Sequence, residues 1–137
     1  MARSSLVVLF ALVKNNKLLL EKRPIKGFLE HQYLIPGGAI EKEEKLEAAL
    51  KREMMEELGV VPIEFQLLTQ EGILGINNNI LRPYVVTSWQ GETPAFILDK
   101  KDPYPLEWVE ISKALLSLPV KPTKKITEVL KNYLDKL

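Results

Sequence analysis

Three carboxylates, Glu53, Glu56 and Glu57, stand at i, i+3 and i+4 in the stretch "PGGAIEKEEKLEAALKREMMEELGV". On a helix turning about 100° per residue they fall within a sector of roughly 60°. Leu46, Ala49 and Leu50 fall in that same sector, so the acids continue the apolar stripe and do not oppose it. Three carboxylates converging there repel one another, and at least one tends to take up a proton. A hard divalent cation such as Mg²⁺ removes the conflict, because it takes oxygen ligands and keeps waters and phosphates in its shell. Gly37 and Gly38, just before the helix, let backbone carbonyls and amides approach a metal or a phosphate closely. Arg52 sits inside the cluster, where its planar fork can lock a neighbouring carboxylate in one orientation. The residues therefore point to a metal site that handles phosphates. The competing account is a solvated helix stabilised by pairs such as Glu47 and Lys51.

The elements that must position these groups can be read from the pattern. Leu6 to Val13 is a continuous apolar run, predicted as a strand buried on both faces. Asn15-Asn16 supplies a turn, and Lys17 to Lys22 returns as a second strand. "RPIKGFLEHQ" reads as a loop, Tyr33 to Ile35 as a short extended piece, and Glu43 to Leu58 as a helix with acids in its first turn. Gly59 ends that helix where a left-handed residue is needed. Strands are predicted over Glu64 to Gln70, Ile80 to Trp89 and Leu106 to Ile111, with "EGILGINNN" as a turn region and "QGETPAFILDKKDP" as a long excursion. "SKALLSL" is a short helix, and the last helix, Thr123 to Leu137, carries an apolar stripe with its lysines on the solvated face. Strands toward both ends with helices between predict an α/β/α sandwich with a mixed β-sheet between helices.

Composition narrows the function classes. The chain has 137 residues, 46% hydrophobic and 27% charged, with net charge +1 and no cysteine. That is the size of a single domain, 1–137, with enough apolar content for a core. Disulfides, thiol nucleophiles and cysteine-based zinc sites are excluded. The near-neutral charge and the lack of a basic patch with interleaved aromatics argue against nucleic acid as the partner. No stretch reaches the roughly 20 apolar residues of a membrane span, and the expected location is cytoplasmic. Trp89 and Trp108 are expected to pack on the sheet, and His31 to be a solvent-exposed loop residue.

Gly38, Glu44, Arg52-Glu53, Met54, Glu56-Glu57, Gly59 and Val60 match G-x5-E-x7-R-E-U-x-E-E-x-G-U, with U aliphatic and Met54 a mild variant. The chain thereby resembles the Nudix hydrolases, most closely the MutT-type nucleoside triphosphate pyrophosphohydrolases. The likeness extends to the opening hairpin ending in Lys22-Arg23, to "YLIPGGAIE", to "YVVTSWQGE" and to "LEWVEI". The resemblance implies Mg²⁺- or Mn²⁺-dependent hydrolysis of a small-molecule nucleotide, a nucleoside diphosphate linked to another group. By motif position Glu53, Glu56 and Glu57 would be metal ligands together with the Gly38 carbonyl. Glu44 would organise the site, Arg52 would orient Glu53, Gly37 and Arg23 would contact substrate, and Glu107 would bring a further carboxylate from a separate strand. The general base would be Glu53, Glu56 or Glu107. MutT-type enzymes read the purine with an asparagine before the last helix, and "LPVKPTKK" has none, so base preference is not implied. The proline common in ADP-ribose pyrophosphatases beyond the box is absent from "GINNN". ADP-ribose or dinucleoside polyphosphate hydrolysis and a nucleotide-sensing module are the alternatives. Nudix domains often dimerise, so a homodimer is compatible with the resemblance.

Overall fold

The computed structural model describes residues 6–24, 31–75, 78–117 and 121–136. Strands β1 (Leu6–Lys14) and β2 (Lys17–Pro24) form a hairpin around Asn15 and Asn16, both at positive φ, 52° and 60°. That pair of conformations is what a two-residue turn needs to match the strand twist, and asparagine tolerates it. The hairpin pairs only near its turn, Val13 with Leu18 and Lys14 with Lys17. Beyond that the strands splay, and β3 (His31–Leu34) and β4 (Gly37–Ala39) fill the gap. β3 runs along the far half of β2, and β4 along the first half of β1. Between them the Phe10 N–H donates to the Pro36 carbonyl at 3.0 Å. The two glycines before the helix are therefore strand residues, wedged into the middle of the sheet and not held in a free loop.

On the other side of β1 lies β7 (Ile80–Gln90), parallel to it from Leu6–Ile80 to Leu12–Val86. β5 (Val61–Leu67) and β6 (Ile73–Leu74) pair antiparallel with β7, and β8 (Leu106–Glu110) closes the far edge on β2. Helix α1 (Leu46–Leu58) covers one face, and α2 (Ile111–Ser117) and α3 (Lys121–Asp135) cover the other. Strand alternation sorts the core into two layers. Val8, Phe10, Leu12, Leu19, Tyr84 and Val86 pack with Ala49, Leu50, Met54 and Leu58 of α1. Leu9, Ala11, Leu18, Leu20 and Val85 pack with Ile111, Ala114, Ile126 and Leu130. This is the mixed-sheet α/β/α sandwich that the sequence predicts.

Several boundaries depart from the sequence reading. α1 begins at Leu46, not Glu43, because Glu43 takes a left-handed φ of 65° and the Glu44 carboxylate turns back to accept the Glu41 N–H at 3.0 Å. Only Glu47 is an acid of the first turn. β5 starts at Val61, directly after Gly59, whose φ of 67° and N–H donation to Met55 at 3.0 Å close the helix. The turn region "EGILGINNN" contains the short strand β6. The excursion at 91–105 folds back onto α1: Ile97 is buried in its layer and the Leu98 N–H donates to the Glu57 carbonyl at 2.9 Å. Among the described residues no helix is long and apolar enough to cross a membrane.

Candidate active site

The face of α1 that holds Leu50 and Met54 also holds Glu53, 8% exposed, and Glu57, 4% exposed. Glu56 lies one helical step around, with its side chain 46% exposed. Two of the three acids are thus interior groups and the third sits at the rim. β4 passes beneath them so closely that the Glu53 carboxylate fills the space a side chain at Gly38 would need. At Gly37 the corresponding space is taken by the Val8 carbonyl and the Leu9 side chain. A methyl group at residue 38 must displace the Glu53 carboxylate. Gly38→Ala is accordingly expected to lower hydrolysis by about a hundredfold while the fold survives, as read by steady-state rates beside a thermal melt.

Arg52 organises the acids. Its Nε and Nη2 donate to the two oxygens of Glu44 at 2.8 and 2.9 Å, a bidentate pair. Nη1 donates to Glu53 at 3.0 Å and to Glu56 at 3.1 Å, and Nη2 also reaches the Ala39 carbonyl at 3.0 Å. One guanidinium thereby ties the pre-helix loop, β4, Glu53 and Glu56 together. The Arg52 hydrogen bonds, followed by the Glu41 N–H, bring the Glu44 carboxyl down to about 2.

Glu57 has no such support. Burial, then the charges of Glu53, Glu21 and Asp99, push its carboxyl up to about 8, against a weaker opposing pull from Lys100. Its Oε2 is buried and has no hydrogen-bond partner among the described residues. Burial also raises Glu53, with Arg52 pulling the other way. Among the described residues no three acidic or histidine side chains already stand together as a closed metal cage. Arg52 Nη1 holds Glu53 and Glu56 toward itself, so a cation would have to compete for them. The donor set nevertheless fits a hard divalent ion: oxygen atoms only, one of them buried and orphaned, beside a carboxylate pressed on a glycine.

The other expected site residues divide. Gly37, Gly38, Glu44, Arg52, Glu53, Glu56 and Glu57 are brought together. Arg23 lies on β2 with its Nη2 on the Glu21 carboxylate and its guanidinium 4.7 Å from the ring centre of Tyr104. Glu107 is not brought to the cluster. Its register partner on β2 is Leu20, which packs in the layer under α2 and α3, while its neighbours Leu106 and Trp108 turn toward α1. Glu107 instead accepts the Tyr33 hydroxyl at 3.0 Å and faces Lys22 at 4.0 Å. Strand alternation, which motif position ignores, sends it to the opposite face. Trp89 and Trp108 stack with ring centres 6.0 Å apart at the edge of the α1 layer, as packing residues.

Glu21, Asp99 and Lys100 were not singled out by the sequence. Glu21 carries a usable signal, since it shares a strand face with Leu19. Asp99 and Lys100 carry none, because only the folding of the excursion onto α1 sets their charges near Glu57. Residues 25–30 and 118–120 and the His31 side chain lie outside the described residues.

The family description "NUDIX domain" matches residues 3–130. The chain is 29% identical over 99 residues to the 8-oxo-dGTP diphosphatase of Escherichia coli strain K12, covering 72% of this chain and 73% of that protein. Its fold is similar to that of a MutT NUDIX hydrolase from Burkholderia pseudomallei, with a TM-score of 0.71 at 23% identity, over 93% of this chain and 98% of the other. It is similar also to the NUDIX domain of Shewanella oneidensis NrtR complexed with ADP ribose, with a TM-score of 0.72 at 18% identity, over 98% of this chain and 90% of the other.

Proposed function

The chain belongs to the Nudix family and is a pyrophosphohydrolase, and from that premise we propose that it cleaves a nucleoside triphosphate, oxidised ones included, to monophosphate and pyrophosphate. The observation that carries the reaction is the buried pair Glu53 and Glu57, with an orphaned carboxylate oxygen, against Gly38. The substrate class is supported by the likeness to the 8-oxo-dGTP diphosphatase.

In this reading Glu53, Glu56, Glu57 and the Gly38 carbonyl would hold a divalent cation, Mg²⁺ or Mn²⁺. When bound, that ion neutralises pyrophosphate oxygens and acidifies water at the site. Arg52, anchored on Glu44, sets the orientation of Glu53. Water adds to phosphorus, the bond between the α- and β-phosphoryl groups breaks, and a carboxylate takes the water proton. Glu53 and Glu56 are the groups for that proton, as Glu107 faces away. Buried Glu57 serves to hold charge.

A panel of nucleotides with Mg²⁺ and Mn²⁺, scored by products, tests the reading. Pyrophosphate and monophosphate from a triphosphate are expected. AMP and ribose 5-phosphate from ADP-ribose as the dominant products would favour the second reading, which the likeness to the ADP-ribose-bound NrtR domain motivates. Tight nucleotide binding without turnover would make the chain a sensor.

A further inference from the structure

β2 carries one acid into the buried face of the sheet. Alternation puts Glu21 on the side of Leu19, toward α1, and its side chain is 5% exposed. A leucine there would extend the apolar layer, whereas an interior carboxylate costs desolvation and here also repels Glu57. Stability therefore supplies no reason for Glu21. Its contacts supply one. Arg23 Nη2 donates to both of its oxygens, at 3.2 and 3.3 Å, and the Tyr104 ring lies against the same guanidinium at 4.7 Å. The planar fork is held at one edge by a carboxylate and on one face by a ring. Arg23 Nε is buried and has no hydrogen-bond partner among the described residues, so a donor of the fixed fork is unspent. Glu21 and Arg23 are two residues apart on one strand face, about 7 Å, which keeps the fork at the edge of the acid cluster.

Resting on the reading above, we propose that Glu21 and Tyr104 are positioning residues that hold Arg23 as a fixed clamp on a pyrophosphate oxygen of the substrate. Glu21→Gln keeps the shape and removes the charge. It is expected to raise KM for the triphosphate roughly tenfold and to weaken binding of inorganic pyrophosphate, measured with Mg²⁺ present, by a similar factor. Its kcat is expected to stay within about threefold. Tyr104→Leu shifts KM in the same sense. With Arg23→Ala as background, adding Glu21→Gln changes KM no further, because the clamp it positions is gone. An unchanged KM, independent effects in the double variant, or a fall confined to kcat would overturn the assignment, the last by placing Glu21 among the acids. Failure of the wild-type chain to cleave any triphosphate would count against the function reading alone, since pyrophosphate binding still decides the role of Glu21. Circular dichroism melts report folding of each variant, and Tyr104→Leu carries the comparison if Glu21→Gln does not fold.

Discussion

Replacing Glu57 by glutamine is expected to lower hydrolysis by about a thousandfold and to leave the metal-free protein at least as stable as the wild type. The first effect follows from removing one of the two interior carboxylates that lie side by side on one face of α1, and Glu53→Gln is expected to do the same. The second follows from electrostatics. Burial and neighbouring acids push the Glu57 carboxyl from 4.5 to about 8 in the folded chain. An acid raised on folding binds its proton more tightly in the folded state, so the contribution of Glu57 to metal-free stability is greatest below about pH 4.5 and falls as pH rises toward 8. Glutamine cannot ionise, and the variant loses that slope. Melts in a chelator between pH 5 and 9 test it: the wild type should soften across this range and the variant should not. The same sign governs cation binding. Near pH 7 the wild type should release protons as Mg²⁺ or Mn²⁺ binds, seen by calorimetry in buffers of different ionisation enthalpy, and Glu57→Gln should release fewer. Near-wild-type turnover in both glutamine variants would sink the catalytic reading.

Arg52→Ala has the second-largest expected effect, and unlike Glu57→Gln it strikes stability and activity together. The guanidinium satisfies Glu44, Glu53, Glu56 and the Ala39 carbonyl at 2.8 to 3.1 Å. Removing it strands Glu53, which is interior, and frees the pre-helix loop from α1. A loss of about 2 kcal/mol and a fall in activity of about a hundredfold are expected. Arg52→Lys restores charge but not the fork, so it should recover stability more than activity. The acid limb gives an independent check. Glu44 is lowered from 4.5 to about 2 chiefly by its Arg52 hydrogen bonds, so its contribution is present above pH 4.5 and lost as pH falls through about 2. Without Arg52 the acid-unfolding midpoint should move to higher pH. A variant with unaltered acid unfolding and full activity would remove Arg52 from its organising place.

Much of the site is local in the chain. Gly38, Glu44, Arg52, Glu53, Glu56 and Glu57 lie on one short segment, and helical periodicity puts Glu53 and Glu57 on the packing face with Glu56 at its rim. The end of α1 at Gly59 was legible for the same reason, since a left-handed cap is a property of one residue. Its start was not: nothing in "IEKEEK" announces that Glu43 turns left-handed so that Glu44 can meet Arg52. Glu107 was misplaced because a motif position carries no information about which face of a strand a side chain takes.

The sequence by itself determined the two-layer core and the acidic face, because periodicities of two and 3.6 residues and the spacing within one helix are local facts, while the reaction class came from the resemblance of that segment to the Nudix box. Only the tertiary structure decided what surrounds that face. The splay of β1 and β2 admits Gly38 beneath Glu53. The excursion at 91–105 brings Asp99 and Lys100 toward acids far away in sequence and Tyr104 onto Arg23, and β2 turns Glu21 inward beside Arg23. The pKa of Glu57 is the sum of those neighbours and of its burial, and both exist only once strands distant in sequence are side by side.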